Sequence, residues 1–252
     1  MRDDREVDTV DVVVAHSSRA TLRVGDTFLK VDGDPTHARR EIDAMRLAPV
    51  PTPDVLWHEP PVLAVKAVRG TALGSLDGPD SAPRSAWIAA GTAIRALHDA
   101  PLPPWHGPSA ARLGRELDAE CAWLLEHSEL PQRVITQNRE SARSVLRPWK
   151  PAFIHGDLQV EHVFVADGAV TGIIDWSEAA QGDPAYDLAT MTLGHPDRLE
   201  DVLTGYGGEV DRDIVRGWWS MRCLLVSRWL IEHGYDPSEP GCELDILRRL
   251  AD

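Results

Sequence analysis

The pattern of apolar residues changes character near residue 69, and that change constrains the fold of this chain more than any other feature. Before it, short strand-forming runs dominate: 9–15 (TVDVVVA), 20–24 (ATLRV) and 27–31 (TFLKV), the last two joined by Gly25-Asp26, a pair suited to a tight hairpin. One helix interrupts them, capped by Asp34 with Pro35 in its first turn and helical character to about residue 47. Two more strands are read around DVLWH and PVLAVKAV. After the change, apolar residues recur at helical spacing over 84–99, 109–127 and 132–146. A single β interlude breaks this half: AFIHGD, then EHVFV and AVTGIID flanking an Asp167-Gly168 turn. A second cap-and-proline pair, Asp183-Pro184, follows, and then a long final helix over about 211–233 ended by Gly234. The expected fold is α+β with two lobes: a small antiparallel-sheet lobe with one helix over 1–68, and a larger, mostly helical lobe over 69–252 that carries a hairpin. The cleft between such lobes is a common ligand site.

Composition narrows the function classes. The 252 residues include 43% hydrophobic ones, enough to bury a core, and no apolar run approaches the ~18 residues of a membrane span. The charged opening MRDDREVD does not resemble a secretion signal, so a soluble cytoplasmic protein without a membrane partner is expected. A net charge of −14 opposes a phosphate backbone and argues against nucleic acid as a partner, whereas a cationic small molecule would be attracted. Plain solubility accounts for the same acidity. Cys121, Cys223 and Cys242 are far apart and form no CxxC pair, so neither a zinc site nor a redox pair is expected. Monomer and homodimer are both open.

Two carboxylates bracket the hairpin: Asp157 at its entrance, in IHGDL, and Asp175 at its exit, in GIIDW. Rigid β structure would hold both near the cleft. Phosphoryl transfer needs such a pair, one carboxylate to receive or orient the incoming hydroxyl proton and one to hold Mg²⁺ on the phosphates. A turn-forming aspartate beside glycine is the simpler account of either residue alone.

The ordered strings HGDLQVEHVFV, GIIDW and GDPAYDLA resemble the aminoglycoside phosphotransferase and choline kinase-like family, which has a protein-kinase-like fold. The resemblance implies an ATP-dependent O-phosphotransferase, with GTP as a possible alternative donor and Mg²⁺ as cofactor. An aminoglycoside-type antibiotic is the leading acceptor. Another hydroxylated metabolite or antibiotic (amino alcohol, peptide antibiotic, nucleoside or sugar) and a nucleotide-binding pseudokinase are the alternatives. By this resemblance Asp157 is the catalytic base, grouped with His155 in the catalytic loop, and Asp175 is a metal ligand. His155 and Asp187 support the loop by hydrogen bonding, and Asp183 caps the helix that carries Asp187. Upstream, Lys30 in FLKVD matches the phosphate-binding lysine and Glu41 in ARREIDAM its glutamate partner. Ser18 and Thr21 fall at the nucleotide loop, and Lys66, Ala67 and Val68 at the segment joining the lobes, where backbone groups meet the adenine edge.

Two departures stand out. Seven positions after the motif histidine the family has asparagine and this chain has His162, exchanging a hard oxygen donor for nitrogen. His162 is accordingly read as a metal-side residue in an altered site, with Asp175 plus water, or loss of turnover, as the other accounts. The nucleotide loop, Ser17 to Thr21, contains no glycine, so the Ser18 and Thr21 hydroxyls are expected to replace backbone contacts, while Arg19 either reaches a phosphate or points to water. Nine tryptophans are expected mostly in the core. The acidic stretches Glu116 to Glu129 and Glu239 to Asp245, with Glu178, fall where the family builds its acceptor pocket, and either receive amines or are solvated helix faces.

Overall fold

The computed structural model describes residues 9–15, 19–76, 78 and 81–252. Five strands form the first sheet: β1 (Val10–Ala15), β2 (Arg19–Val24), β3 (Thr27–Asp32), β4 (Val55–Glu59) and β5 (Val62–Lys66). They pair antiparallel in the order β1-β2-β3-β5-β4. Between β3 and β4 lies α1 (Pro35–Leu47), which starts on Asp34, whose side chain accepts from the Thr36 amide at 2.8 Å. Proline suits the first helical position because the N–H it lacks would have had no helical partner there. The packed face of α1 consists of Ala38, Glu41, Ile42, Ala44 and Met45, so a glutamate shares the buried stripe.

The chain leaves this sheet at Lys66 and β6 (Thr71–Ala72) joins a second one, pairing with the hairpin of β8 (Val163–Ala166) and β9 (Ala169–Ile173). Asp167 (φ 52°) and Gly168 (φ 76°) close that hairpin, the two positive φ values that its tight turn requires. Before the hairpin come β6, α2 (Arg84–His98), α3 (Ala110–His127), α4 (Gln132–Arg143) and β7 (Ala152–Ile154). After it come β10 (Ala180–Gly182), which pairs with β7, then α5 (Pro184–Thr192), α6 (Leu199–Tyr206), α7 (Arg212–Glu232) and α8 (Glu243–Leu250). Helix α7 packs against α3, α4, α5 and α8, and Trp87, Phe153 and Trp176 are fully buried. Among the described residues no helix is long and apolar enough to cross a membrane.

Two expectations need correction. Helix α7 is not the last, because ELDILRRL forms α8 with Leu244, Ile246 and Leu247 buried. The strand expected over EHVFV begins only at Val163, since Val160–His162 makes a single 3₁₀ turn. The tryptophans lie mostly in or against the core as expected: Trp87, Trp176, Trp218 and Trp219 are buried, Trp105, Trp123 and Trp149 pack against them and their neighbours, and Trp57 and Trp229 are exposed. Within the acidic stretch 239–245, left open between pocket wall and solvated face, Glu243 is buried, and burial pushes its carboxyl up from the ordinary value.

Candidate active site

Strand pairing puts Thr21 directly across from Lys30, and Arg19 across from Asp32, so these four side chains share one face of the first sheet. Lys30 Nζ donates to Glu41 Oε1 and, at 3.1 Å, to Asp175 Oδ1. Arg19 Nη2 donates to the same Asp175 oxygen at 2.9 Å and lies 3.9 Å from Glu41 Oε2, while its Nε is 3.9 Å from Asp32 Oδ2. One carboxylate oxygen thus accepts from two cations. Burial would raise the Asp175 carboxyl, but the nearby charges of Lys30, Arg19 and His162 outweigh it and hold the group below the ordinary carboxylate range. Asp175 itself adopts a left-handed backbone (φ 64°, ψ 64°), uncommon outside glycine, as the chain turns out of β9.

The loop after β7 is held by different means. Asp187, fully buried on α5, accepts the His155 amide at 2.8 Å, the Gly156 amide at 3.0 Å and His98 Nε2 at 3.1 Å. Asp183 caps α5, accepting from the Ala185 amide at 3.0 Å, and thereby fixes the helix that presents Asp187. Gly156 runs at φ 85°, and a Cβ there would stand 2.3 Å from the Glu178 carbonyl oxygen, so only glycine fits. His155 Nε2 donates to the Ile174 carbonyl at 3.0 Å, and its Nδ1 accepts the Asp157 amide at 3.3 Å. Burial pushes this imidazole down from its ordinary value, in keeping with the neutral tautomer these contacts require. With no exposed surface and both nitrogens engaged by backbone, His155 braces the loop and does not reach the cleft, which corrects its grouping with Asp157 as a catalytic residue.

Asp157 remains partly open. Its Oδ1 accepts from Arg222 Nη2 at 2.8 Å, and Gln159 Nε2 spans both oxygens at 3.1 and 3.2 Å. His162 Nδ1 donates to the Asp157 carbonyl at 2.8 Å, which leaves Nε2 as its remaining ring nitrogen, and the His162 carbonyl accepts the Ile174 amide at 3.0 Å. The entrance and exit of the hairpin are therefore tied together through His155, His162 and Ile174.

The remaining expected positions divide. Ser18 lies outside the described residues. In the joining segment the Lys66 amide donates to the Asp54 carbonyl at 2.9 Å and the Ala67 amide to the Asp26 carbonyl at 2.7 Å. These two N–H groups are thus committed to the protein and cannot donate to a base as expected. The Val68 side chain packs over Gly172 of β9, where a Cβ would fall 2.4 Å from Val68 Cγ1.

Beside Asp157 opens a cavity of about 540 Å³, walled by Trp149, Tyr186, Trp218 and Trp229, with Arg222 and Glu178 on its lining. Of the acidic stretch 116–129 only Glu116 lines it, and Arg112 pairs with that residue at 2.7 Å. Asp183 at its base is occupied by Trp218 Nε1 at 3.1 Å and Arg147 at 3.5 Å. The wall is more aromatic and less acidic than composition suggested.

Three residues of this site escape the sequence reading. His98 ends an amphipathic helix and reads as core, and Gln159 is one of the unremarked positions between Asp157 and His162. Arg222 leaves a usable signal: it is a lone charge inside the apolar run WWSMRCLLV, between Met221 and Cys223, both fully buried.

A profile of the phosphotransferase enzyme family matches residues 2–220. The chain belongs to this family. Viomycin phosphotransferase of Streptomyces vinaceus is 38% identical over 87 residues, which cover 31% of this chain and 30% of that protein. Among solved structures, a choline/ethanolamine kinase family protein from Mesorhizobium loti superposes with a TM-score of 0.72 at 22% identity, covering 98% of this chain and 88% of that one. An aminoglycoside 2′-phosphotransferase in its GDP complex gives 0.70 at 18% identity, covering 98% and 94%. A macrolide 2′-phosphotransferase from Brachybacterium faecium gives 0.62 at 18%, covering 96% and 90%. The fold is that of protein-kinase-like small-molecule phosphotransferases, with an antiparallel-sheet lobe and a helical lobe.

Proposed function

We propose that this phosphotransferase moves the terminal phosphoryl group of ATP, or of GTP, onto a hydroxyl of a small molecule bound in the aromatic cavity. One observation carries the proposal: Asp175 meets Lys30, itself held by Glu41, while Asp157, on the loop tied to the same hairpin, accepts from Arg222, which lines the cavity. Residues 1–68 then form the nucleotide lobe and 69–252 the catalytic and acceptor lobe. Lys30 orients the α- and β-phosphates, Thr21 offers a hydroxyl on the same sheet face, and carbonyl groups of 66–68 meet the base edge. Asp157 accepts the proton of the acceptor hydroxyl as its oxygen bonds to the terminal phosphorus and the bridging oxygen departs with the nucleoside diphosphate. Arg222 and Gln159 fix the carboxylate for that task.

The donor set suits Mg²⁺. Among the described residues no group of three or more His, Cys, Asp and Glu side chains is arranged to hold a metal unaided, and Mg²⁺ takes one or two carboxylates together with substrate phosphates and water. Asp175 would hold it through a hard oxygen, with His162 alongside, and the ion would supply neutralisation of phosphate charge.

An aminoglycoside-type antibiotic is the first acceptor to test, its amines directed to Glu178 and its rings to Trp218 and Trp229. Peptide and macrolide antibiotics and amino alcohols complete the panel. Acceptor-dependent release of nucleoside diphosphate is the readout. A signal that disappears in Asp157→Asn supports the proposal, and silence across the panel from protein that binds nucleotide favours a nucleotide-binding protein without turnover.

A further inference from the structure

Resting on the proposed phosphoryl transfer, we infer that Arg19 is a resident counter-cation of the metal aspartate that passes to the nucleotide phosphates when metal and nucleotide bind. Charge balance supports the first half. Asp32, Glu41 and Asp175 converge on two cationic side chains, Lys30 and Arg19, and each of the three lies within 4 Å of Arg19. Asp32 is also met by the Asp34 amide at 2.8 Å and by His37 Nδ1 at 3.1 Å, but Lys30 is already divided between Glu41 and Asp175, so without Arg19 these two carboxylates would share one ammonium at a partly buried site. Buried charge left unmatched in this way is strongly unfavourable, so the guanidinium fills a need of the nucleotide-free protein.

Competition supports the second half. Arg19 Nη2 and Lys30 Nζ both approach Asp175 Oδ1, at 2.9 and 3.1 Å, which fills the oxygen that a cation would otherwise use. A divalent ion arriving with phosphates satisfies Asp175 better than a guanidinium does, and phosphate oxygens offer a displaced guanidinium a stronger partner than one shared carboxylate. Arg19 stands on the sheet face shared by Thr21 and Lys30, and its side chain keeps 24% of its surface exposed, so it can turn without the strand moving. The stretch from Ser17 to Thr21 around it contains no glycine, the residue that most readily lets backbone amides close on a phosphate. Arg19 supplies by side-chain charge what a glycine-rich loop supplies by backbone dipoles.

The test uses the full chain and two readouts that do not depend on turnover. The first is thermal unfolding with and without Mg²⁺ in the absence of nucleotide. Wild type should not respond, Arg19→Ala should melt lower and be raised by Mg²⁺ alone, and the response should vanish in Arg19→Ala/Asp175→Asn. The second is calorimetric affinity for ADP with Mg²⁺, which should fall about tenfold or more in Arg19→Ala, the loss expected for one charge-assisted contact, and recover partly in Arg19→Lys. An ADP affinity equal to wild type, or a Mg²⁺ response unchanged by the alanine substitution, overturns the role of Arg19. Failure of wild type itself to bind ADP overturns the phosphoryl-transfer proposal instead, and the Mg²⁺ comparison still reads Arg19.

Discussion

The backbone of the Asp157 loop and the carboxylate of Asp175 are held by different means. The Asp157 loop is held from beneath by a buried scaffold in which Asp187 takes two backbone amides and His98, and His155 joins backbone to backbone. Asp175 is surrounded by the ends of long, partly exposed side chains from another sheet, Arg19 and Lys30. The first arrangement is suited to preserving a geometry; the second, on the proposal above, to adjusting its charge. A transfer site needs both, because the base must keep its place while metal and phosphates come and go.

The largest test of this contrast is Asp187→Ala, which strips a carboxylate from two buried amides and an imidazole. It should lower stability by about 3–5 kcal/mol, the usual cost of leaving a buried polar network unpartnered, and abolish turnover with it. Denaturant unfolding measures the loss, and a variant that stays within 1 kcal/mol of wild type, by the typical scale of surface substitutions, would erase the distinction between the two regions.

Next in size is the Lys30–Glu41 pair. Lys30→Ala should reduce kcat/KM by about 10²-fold through lost phosphate orientation, Glu41→Ala should reproduce part of that, and the double variant should be little worse than Lys30→Ala. Fully additive losses would show that the lysine is positioned by something other than Glu41.

The smallest effect expected is in the pH dependence of stability. The folded His155 is depressed, so the unfolded chain takes up a proton first, and stability begins to fall as pH drops below about 6.5, the unperturbed histidine value. The depressed carboxyl of Asp175 contributes stability that is retained above about pH 4 and lost as pH falls further, toward its lowered folded value. The scaffold should therefore soften in a milder acid range than the charge cluster. Unfolding curves from about pH 2 to 8 for wild type and His155→Gln separate the two, and a histidine variant with an unaltered profile above about pH 4 would contradict the assignment.

What was legible in the sequence follows from this contrast. Asp157, Asp175, Lys30 and Glu41 each sit in a short string with a local structural reason, and the structure brings Lys30, Glu41 and Asp175 into one cluster. The partners that tune them are distant along the chain: His98 is 89 residues from Asp187, Arg222 is 65 from Asp157 and Arg19 is 156 from Asp175. No local pattern encodes such pairings. The two readings left open for the acidic stretch could not be separated for the same reason, because Glu116 looks available until Arg112, one helical turn earlier, is seen to pair with it. Helix α8 was missed because it is eight residues long and starts on Cys242, which is not one of the capping side chains that mark a helix start in a sequence.

The division of labour between the two aspartates is tested most directly by titrating ADP with Mg²⁺ into Asp157→Asn and Asp175→Asn while measuring turnover of each. Asp157→Asn should bind nucleotide as wild type does and lose about 10²–10⁴ in rate, because proton handling matters only in the transfer step. Asp175→Asn should fold, lose the Mg²⁺-dependent part of nucleotide affinity and lose turnover. The reverse pattern, with nucleotide affinity collapsing in Asp157→Asn or Mg²⁺-dependent binding and near wild-type turnover persisting in Asp175→Asn, would contradict the account.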